Sequence, residues 1–288
     1  MHEQGRIIRR VVLLANKQKD DAENFVQEIT AYLDDLQIIH NTIFTLDADT
    51  QIDVHPETDL AICLGGDGTV LSCARLLHPY GIPMLAVNLG TFGFITEVCK
   101  DEWKEAFEIY RAGKANISRR LMVRVSVERN GERVFQGHGL NDMTLATTGI
   151  SKMLSLDLFI NGTHAGKIRS DGILVATPTG STGYSLAAGG PILDVSLDAL
   201  IINPICPFTL SNRPLVIAGE DIVNIVVRKG QRTQLALTVD GQVMFPLQEQ
   251  DRVIVEKSRS KALLIMSPMR NYYEVVRDKL NWSGGMHA

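Results

Sequence analysis

Through the first 115 or so residues, short apolar runs alternate with stretches whose apolar residues recur every three or four positions. Arg10–Asn16 reads as a buried strand, and Ala22, Phe25, Val26, Ile29, Leu33 and Leu36 follow at helical spacing. Ile38–Phe44 is strand-like, and Thr45–Thr58 is polar and irregular. Leu60–Leu64 predicts a second buried strand, followed by a helix to about His78 and a strand over Pro83–Leu89. Trp103, Ala106, Phe107 and Tyr110, at i, i+3, i+4 and i+7, mark another helix. This alternation predicts a parallel sheet covered by helices, with ligands at the carboxyl ends of the strands.

Near Ile117 the period changes to two. Leu121, Val123, Val125 and Val127 alternate with Met122, Arg124, Ser126 and Glu128, as in a half-exposed strand. Asn130-Gly131 and Asn161-Gly162 are hairpin signals between such runs. Further alternating stretches at Leu154–Ile160, Asp221–Val227, Thr233–Val239, Arg252–Glu256 and Ala262–Met266 predict a mostly antiparallel second half. After Pro268, helical spacing returns with Tyr272, Val276 and Leu280. A lone helix after a β domain must bury its apolar face somewhere, and the expectation is that it docks back on the first domain.

The chemistry is concentrated where strands end. Gly65-Gly66-Asp67-Gly68-Thr69 directly follows the run Leu60–Leu64, and a second glycine-bearing turn, Gly90-Thr91-Phe92-Gly93-Phe94, follows Pro83–Leu89. Glycines let backbone amides approach a polyanion without a Cβ in the way, and a helix starting near Thr69 favours phosphate. A carboxylate in such a loop repels phosphate unless it holds a metal or takes a proton from an attacking hydroxyl. The plain alternative is a tight strand-to-helix turn. The loop matches neither G-x-x-x-x-G-K-[ST] nor G-x-G-x-x-G.

Composition narrows the classes. The net charge of −4 leaves no basic excess for a nucleic-acid surface. Cys63, Cys73, Cys99 and Cys206 show no C-x-x-C spacing, so neither a disulfide framework nor a zinc site is expected, and a reducing cytoplasm fits best. No apolar run approaches the length of a membrane span or signal sequence.

Within the β half, Thr177-Pro178-Thr179-Gly180-Ser181-Thr182-Gly183-Tyr184-Ser185-Leu186-Ala187-Ala188-Gly189-Gly190-Pro191 does not read as sheet. Its hydroxyls and small residues suit a phosphate or ribose, with Thr182–Ala188 as a short helix, and an ornate turn is the alternative. Asn141-Asp142 is either a turn or a pair suited to an adenine edge and ribose hydroxyls. Arg169-Ser170-Asp171-Gly172 is either a hairpin end or part of the site.

Together these stretches resemble the NAD kinase family. GGDGT at 65–69, the Asn-acidic pair at 141–142 and TPTGSTGYSLAAGGP at 177–191 carry the resemblance, supported by NLGTFGFITE (88–97), RSDG (169–172) and SNRPLVI (211–217) in the family's order. The resemblance implies a Rossmann-like α/β domain over 1–116, completed by 268–288, and a β-sandwich NAD-binding domain over 117–267. It implies phosphoryl transfer from ATP, or in some members polyphosphate, to the 2′-hydroxyl of the adenosine ribose of NAD, with Mg²⁺ on the triphosphate and no metal site of the protein's own. By position, Asp67 is the proton acceptor and Gly68 its neighbour in the NAD site. Asn141 and Asp142 contact the dinucleotide, as do Lys152 and Gln242. Arg169 and Asp171 complete the site from a second subunit of a homo-oligomer, a dimer or tetramer. Thr182, Gly183, Tyr184, Ser185, Leu186 and Ala187 wrap the nucleoside moieties. Asp142 stands where Glu is common, Lys152 where His or Arg is expected, Gly183 where Ala is frequent, and Phe208 where His is usual.

Three rivals follow from the same residues. A diacylglycerol-type lipid kinase shares the GGDG loop but wants a membrane-facing apolar or basic surface. An NAD-dependent dehydrogenase needs a fingerprint and a His/Arg pair that are not evident. A non-catalytic dinucleotide sensor would lose the acid, and Asp67 is present.

Overall fold

A computed structural model of the chain describes residues 6–19, 21–44, 52–90, 93–149, 153–209, 211–231 and 233–281. The chain divides into two compact units, one holding residues up to Arg119 and from Ala262 onward, the other Arg120–Lys261. In the first unit, β1 (Arg10–Ala15), α1 (Ala22–Asp35), β2 (Ile39–Phe44), β3 (Leu60–Gly65), α2 (Asp67–Leu77) and β4 (Met84–Asn88) realise the predicted alternation. Every residue of β3 and β4 is buried, as continuous apolar runs require in a sheet covered on both faces. β2, β1, β3 and β4 pair in parallel in that order. A short β5 (Val98–Cys99) adds to β4, and α3 (Trp103–Arg111) buries the four residues its spacing marks out. Trp103 meets Tyr32 of α1 edge-on, with ring centroids 5.4 Å apart. β6 (Ile117–Arg120) then leads to the second unit.

That unit contains β7 (Val123–Arg129), β8 (Glu132–Gly139), β9 (Asp142–Thr147), β10 (Leu154–Ile160), β11 (Thr163–Ser170) and β12 (Gly172–Ala176). A short 3₁₀ turn (Thr179–Thr182) and the four-residue α4 (Tyr184–Ala187) come next. It is completed by β13 (Ala199–Ile205), β14 (Leu215–Ala218), β15 (Val223–Val227), β16 (Leu235–Val239), β17 (Val243–Leu247) and β18 (Arg252–Lys257). Two antiparallel sheets form, in the orders β11-β10-β15-β18-β7-β8 and β14-β13-β12-β9-β16-β17. Their inward residues, including Val125, Leu156 and Ile225 from one and Leu145, Val175 and Leu237 from the other, share one core, which makes the unit a β-sandwich. Both Asn-Gly pairs form hairpin turns with φ positive at each residue, 54° and 85° at 130–131, 49° and 77° at 161–162.

The chain then returns to the first unit. β19 (Ala262–Ile265) pairs in parallel with β4, giving the sheet order β2-β1-β3-β4-β19-β6. This corrects the sequence reading, which keeps Ala262–Met266 in the second domain. A period of two reports a half-buried strand but not which sheet receives it. α5 (Tyr272–Leu280) opens with a capping box between Asn271 and Glu274 and buries Tyr272, Val275 and Val276 within the first unit. Just before it, Arg270 grips Glu102 with two hydrogen bonds of 2.6 and 2.7 Å and donates to the backbone O of Glu97. Among the described residues, no helix is long and apolar enough to cross a membrane.

Candidate functional site

The first unit places Asp67 at the carboxyl end of β3. Gly66 is extended (φ −108°, ψ −170°) and caps α2, so the helix begins at Asp67, two residues earlier than the spacing suggests. The carboxylate therefore sits in the first turn, where the helix dipole favours negative charge. It also reaches the turn after β4. Oδ1 accepts from the backbone N of Ile95 (3.1 Å), the backbone N of Thr96 (3.1 Å) and Thr96 Oγ1 (3.0 Å). Oδ2 accepts from the backbone N of Phe94 (2.9 Å). Gly93 permits this approach, since a Cβ there would lie 1.9 Å from Asp67 Oδ1. The two glycine turns seen in the sequence are thus one structure, tied together by the acid. Asp67 remains partly exposed and Gly68 exposed; Thr91 and Phe92 lie outside the described residues.

The second unit gathers Asn141, Asp142 and the 177–183 segment. Thr177 donates its backbone N to Asn141 O (2.8 Å) and its hydroxyl to Leu140 O (2.6 Å). A Cβ on Gly180 would lie 2.2 Å from the Asn141 backbone O, so the two segments touch backbone to backbone. Asn141 Oδ1 is enclosed and has no hydrogen-bond partner among the described residues. From the β16–β17 turn, Asp240 accepts from the backbone N of Leu140 (2.8 Å), Asn141 (2.8 Å) and Asp142 (3.0 Å). Asp240 has φ 53°, and its own N donates to Asp142 O. The Asn141-Asp142 backbone is therefore held from both sides.

Asp142 is only 6% exposed. Burial, reinforced by the nearby Asp240 charge, pushes its carboxyl up to about 6, against the opposing hydrogen bond from Thr144 Oγ1 (3.2 Å). Its folded-state affinity for the proton exceeds its unfolded one, so the associated stability is full below about pH 4 and is lost as pH rises towards 6. The shift corresponds to about 3 kcal/mol. Asp142→Asn removes this slope. Its melting temperature is expected to exceed that of the parent at pH 8, with the gap closing by pH 4; a gap independent of pH contradicts the assignment.

The small-residue segment does not form one helix from 182 to 188; it breaks at Gly183 into the 3₁₀ turn and α4. Several of its hydroxyls stitch the segment to itself: Ser181 Oγ donates to Pro178 O (2.6 Å) and accepts from Leu193 N (3.0 Å), and Thr182 Oγ1 donates to Thr179 O (3.2 Å). Thr182, Gly183 and Leu186 are half-buried, Tyr184 and Ala187 exposed, and Ser185 fully buried. Arg169, at the end of β11, lies over the ring of Phe208 at 5.2 Å, so the residue found in place of the usual His serves as its platform. Asp171 is half-buried and donates its N to Ile205 O. Gln242 closes the β16–β17 turn through its N to Val239 O (3.0 Å). Lys152 lies outside the described residues. Asp240, Thr96 and Asn88 do not stand out individually in the sequence. Asp240-Gly241 is a legible turn signal and NLGTFGFITE a legible segment, but neither discloses which carboxylate or backbone of the neighbouring strand it meets. Among the described residues, no group of three or more His, Cys, Asp or Glu is placed to hold a metal ion.

Residues 44–115 match the family model described as the ATP-NAD kinase N-terminal domain, and residues 140–267 the ATP-NAD kinase C-terminal domain. An NAD kinase of Treponema denticola is 37% identical over 278 residues, 96% of this chain and 98% of that protein. The fold is also that of a yeast NADH kinase solved with NADH, with a TM-score of 0.84, 23% identity and coverage of 97% of this chain and 89% of that one. An Archaeoglobus fulgidus NAD kinase solved with ATP gives 0.73 and 23%, covering 94% and 98%. On the two domain matches and this identity along nearly its whole length, the chain belongs to the NAD kinase family.

Proposed function

We propose that this protein transfers the terminal phosphoryl group of ATP to the 2′-hydroxyl of the adenosine ribose of NAD, forming NADP, with Asp67 as the proton acceptor. The observation that carries this reading is the Asp67 carboxylate, held at a strand end in the first turn of α2. A sugar hydroxyl is a poor nucleophile near neutral pH, and a positioned carboxylate that takes its proton contributes roughly 10²–10⁴-fold. Alignment of donor and acceptor and neutralisation of the phosphates supply most of the rest. The divalent cation enters as part of the MgATP substrate. Gly68, Asn141, Asp142, Lys152, Gln242 and Thr182 to Ala187 contact the dinucleotide in this reading. Arg169 and Asp171 act from a second subunit of a homo-oligomer, for which the exposed Phe208, Leu215 and Val216 offer apolar surface. Four free thiols fit a reducing, cytoplasmic setting.

The test is an endpoint assay of the purified protein with NAD, ATP and Mg²⁺, reading the NADP formed with an NADP-specific dehydrogenase. NADP is expected with MgATP and is expected to vanish when EDTA is added. Polyphosphate in place of ATP then defines the donor range. No NADP from either donor, with NAD still bound, overturns the reading.

A further inference from the structure

The two oxygens of the Asp67 carboxylate are made unequal by residues to which no role has been given. Thr96, with no exposed surface, donates its hydroxyl to Oδ1 and also its backbone N. The Thr96 hydroxyl carries one proton, and its direction is set from behind. Asn88 Nδ2 donates to Thr96 Oγ1 at 2.9 Å, which leaves the hydroxyl proton to point at Asp67. The Asn88 amide is itself fixed, because its Oδ1 accepts from the backbone N of Gly90 at 2.7 Å. Asn88 is 4% exposed, so solvent offers it no comparable alternative partner. The result is a one-way donor chain from Asn88 to Thr96 to Asp67. Oδ1 receives three donors, which saturates an oxygen with two lone pairs, whereas Oδ2 receives one among the described residues.

We propose that Thr96, oriented by Asn88, is a positioning residue that clamps Oδ1 so that Oδ2 is the atom receiving the ribose proton. The inference rests on the role proposed above for Asp67. In the step, the 2′ O–H bond breaks and its proton passes to Oδ2 as the O–P bond to the γ-phosphorus forms. The bond from that phosphorus to the bridging oxygen breaks, and its electron pair leaves with ADP. With one oxygen saturated and the carboxylate pinned to the 94–96 backbone, the acceptor lone pair has a single direction. Proton transfer is sensitive to such direction, and a misplacement of about 1 Å lowers rates by about a hundredfold.

The experiment compares Thr96→Val, Thr96→Ser and Asp67→Asn with the parent, in kcat, KM for NAD and melting temperature. Valine keeps the shape and removes the hydroxyl; serine keeps the hydroxyl and removes the methyl. Thr96→Val is expected to lose kcat by about tenfold or more with KM for NAD within about threefold, and Thr96→Ser to stay within about threefold of the parent. A merely structural Thr96 would instead show both variants impaired in step with their loss of melting temperature, and that result overturns the proposal, as does parental kcat in Thr96→Val. Should Thr96→Val fold poorly, Asn88→Ala reports from the other end of the chain. It keeps the hydroxyl but frees its rotation, with a kcat loss of about fivefold expected and parental kcat contradicting. If Asp67→Asn turns over normally, the role of Asp67 falls and this inference with it. If Asp67→Asn is inactive while Thr96→Val is normal, only the positioning role falls.

Discussion

Asp67→Asn is expected to bind NAD within a few-fold of the parent and to turn it over at least about a hundredfold more slowly. The variant keeps the size of the side chain and removes its capacity to accept a proton. The geometry adds a second effect. The amide oxygen is best placed in the Oδ1 position, where Ile95 N, Thr96 N and Thr96 Oγ1 all donate. That puts the amide nitrogen where Oδ2 accepts from Phe94 N, so donor faces donor. Losing one hydrogen bond to a charged group costs about 1.5–3 kcal/mol, which a lowered melting temperature reports separately from turnover. Calorimetric titration with NAD and steady-state kinetics on the same preparation check both parts. Turnover near that of the parent removes Asp67 from the chemistry.

Gly180→Ala carries the largest expected effect on the second unit. The added Cβ meets Asn141 O at 2.2 Å, its carbonyl carbon at 2.6 Å and its Cα at 2.8 Å. All three are backbone atoms, so no side-chain rotation relieves the clash. The Asn141 backbone in turn holds Thr177 and is held by Asp240. Either the 177–183 segment moves away or the Asp240 clamp opens, and the expected loss is about 3 kcal/mol or more with weakened NAD binding. Gly66→Ala is the contrast: its Cβ meets nothing within 4 Å and its φ is −108°. It is expected to fold like the parent. Denaturant unfolding of the pair reads the difference, and equal stability contradicts the account of Gly180.

The parts of the fold legible in the sequence are those where pattern and burial coincide. β10 falls on Leu154–Ile160 as read, because strict alternation is bounded by turn residues on the hairpin side. β3 and α1 were visible for similar reasons, as a continuous apolar run and a clean helical stripe. β13 and β17 are not legible, each carrying a proline, Pro204 and Pro246, that argues against a strand until its neighbours are known. The start of α2 is hidden because Gly66, Asp67 and Gly68 look like loop, although an extended Gly66 caps the helix and puts the other two inside it. The acid at Asp67 was conspicuous as a charge among glycines. What holds it was not. Thr96 and Asn88 are ordinary residues in sequence, and their meaning lies in contacts across two loops. The hydroxyls of the 177–183 segment read as groups for a ligand, whereas those of Thr177 and Ser181 are occupied by backbone groups, at Leu140 for the first and at Pro178 and Leu193 for the second. Side-chain to backbone bonds of this kind leave no periodic trace.

The proposed transfer of a phosphoryl group from ATP to one hydroxyl of NAD leaves a new phosphomonoester on the product. Phosphorus NMR of the product mixture, with ATP consumption followed in the same sample, tests it most directly. One new phosphomonoester on the adenosine 2′-oxygen for each ATP converted to ADP is the result this account predicts. ATP consumed without a phosphomonoester on NAD, or a phosphate at a different hydroxyl, would contradict it.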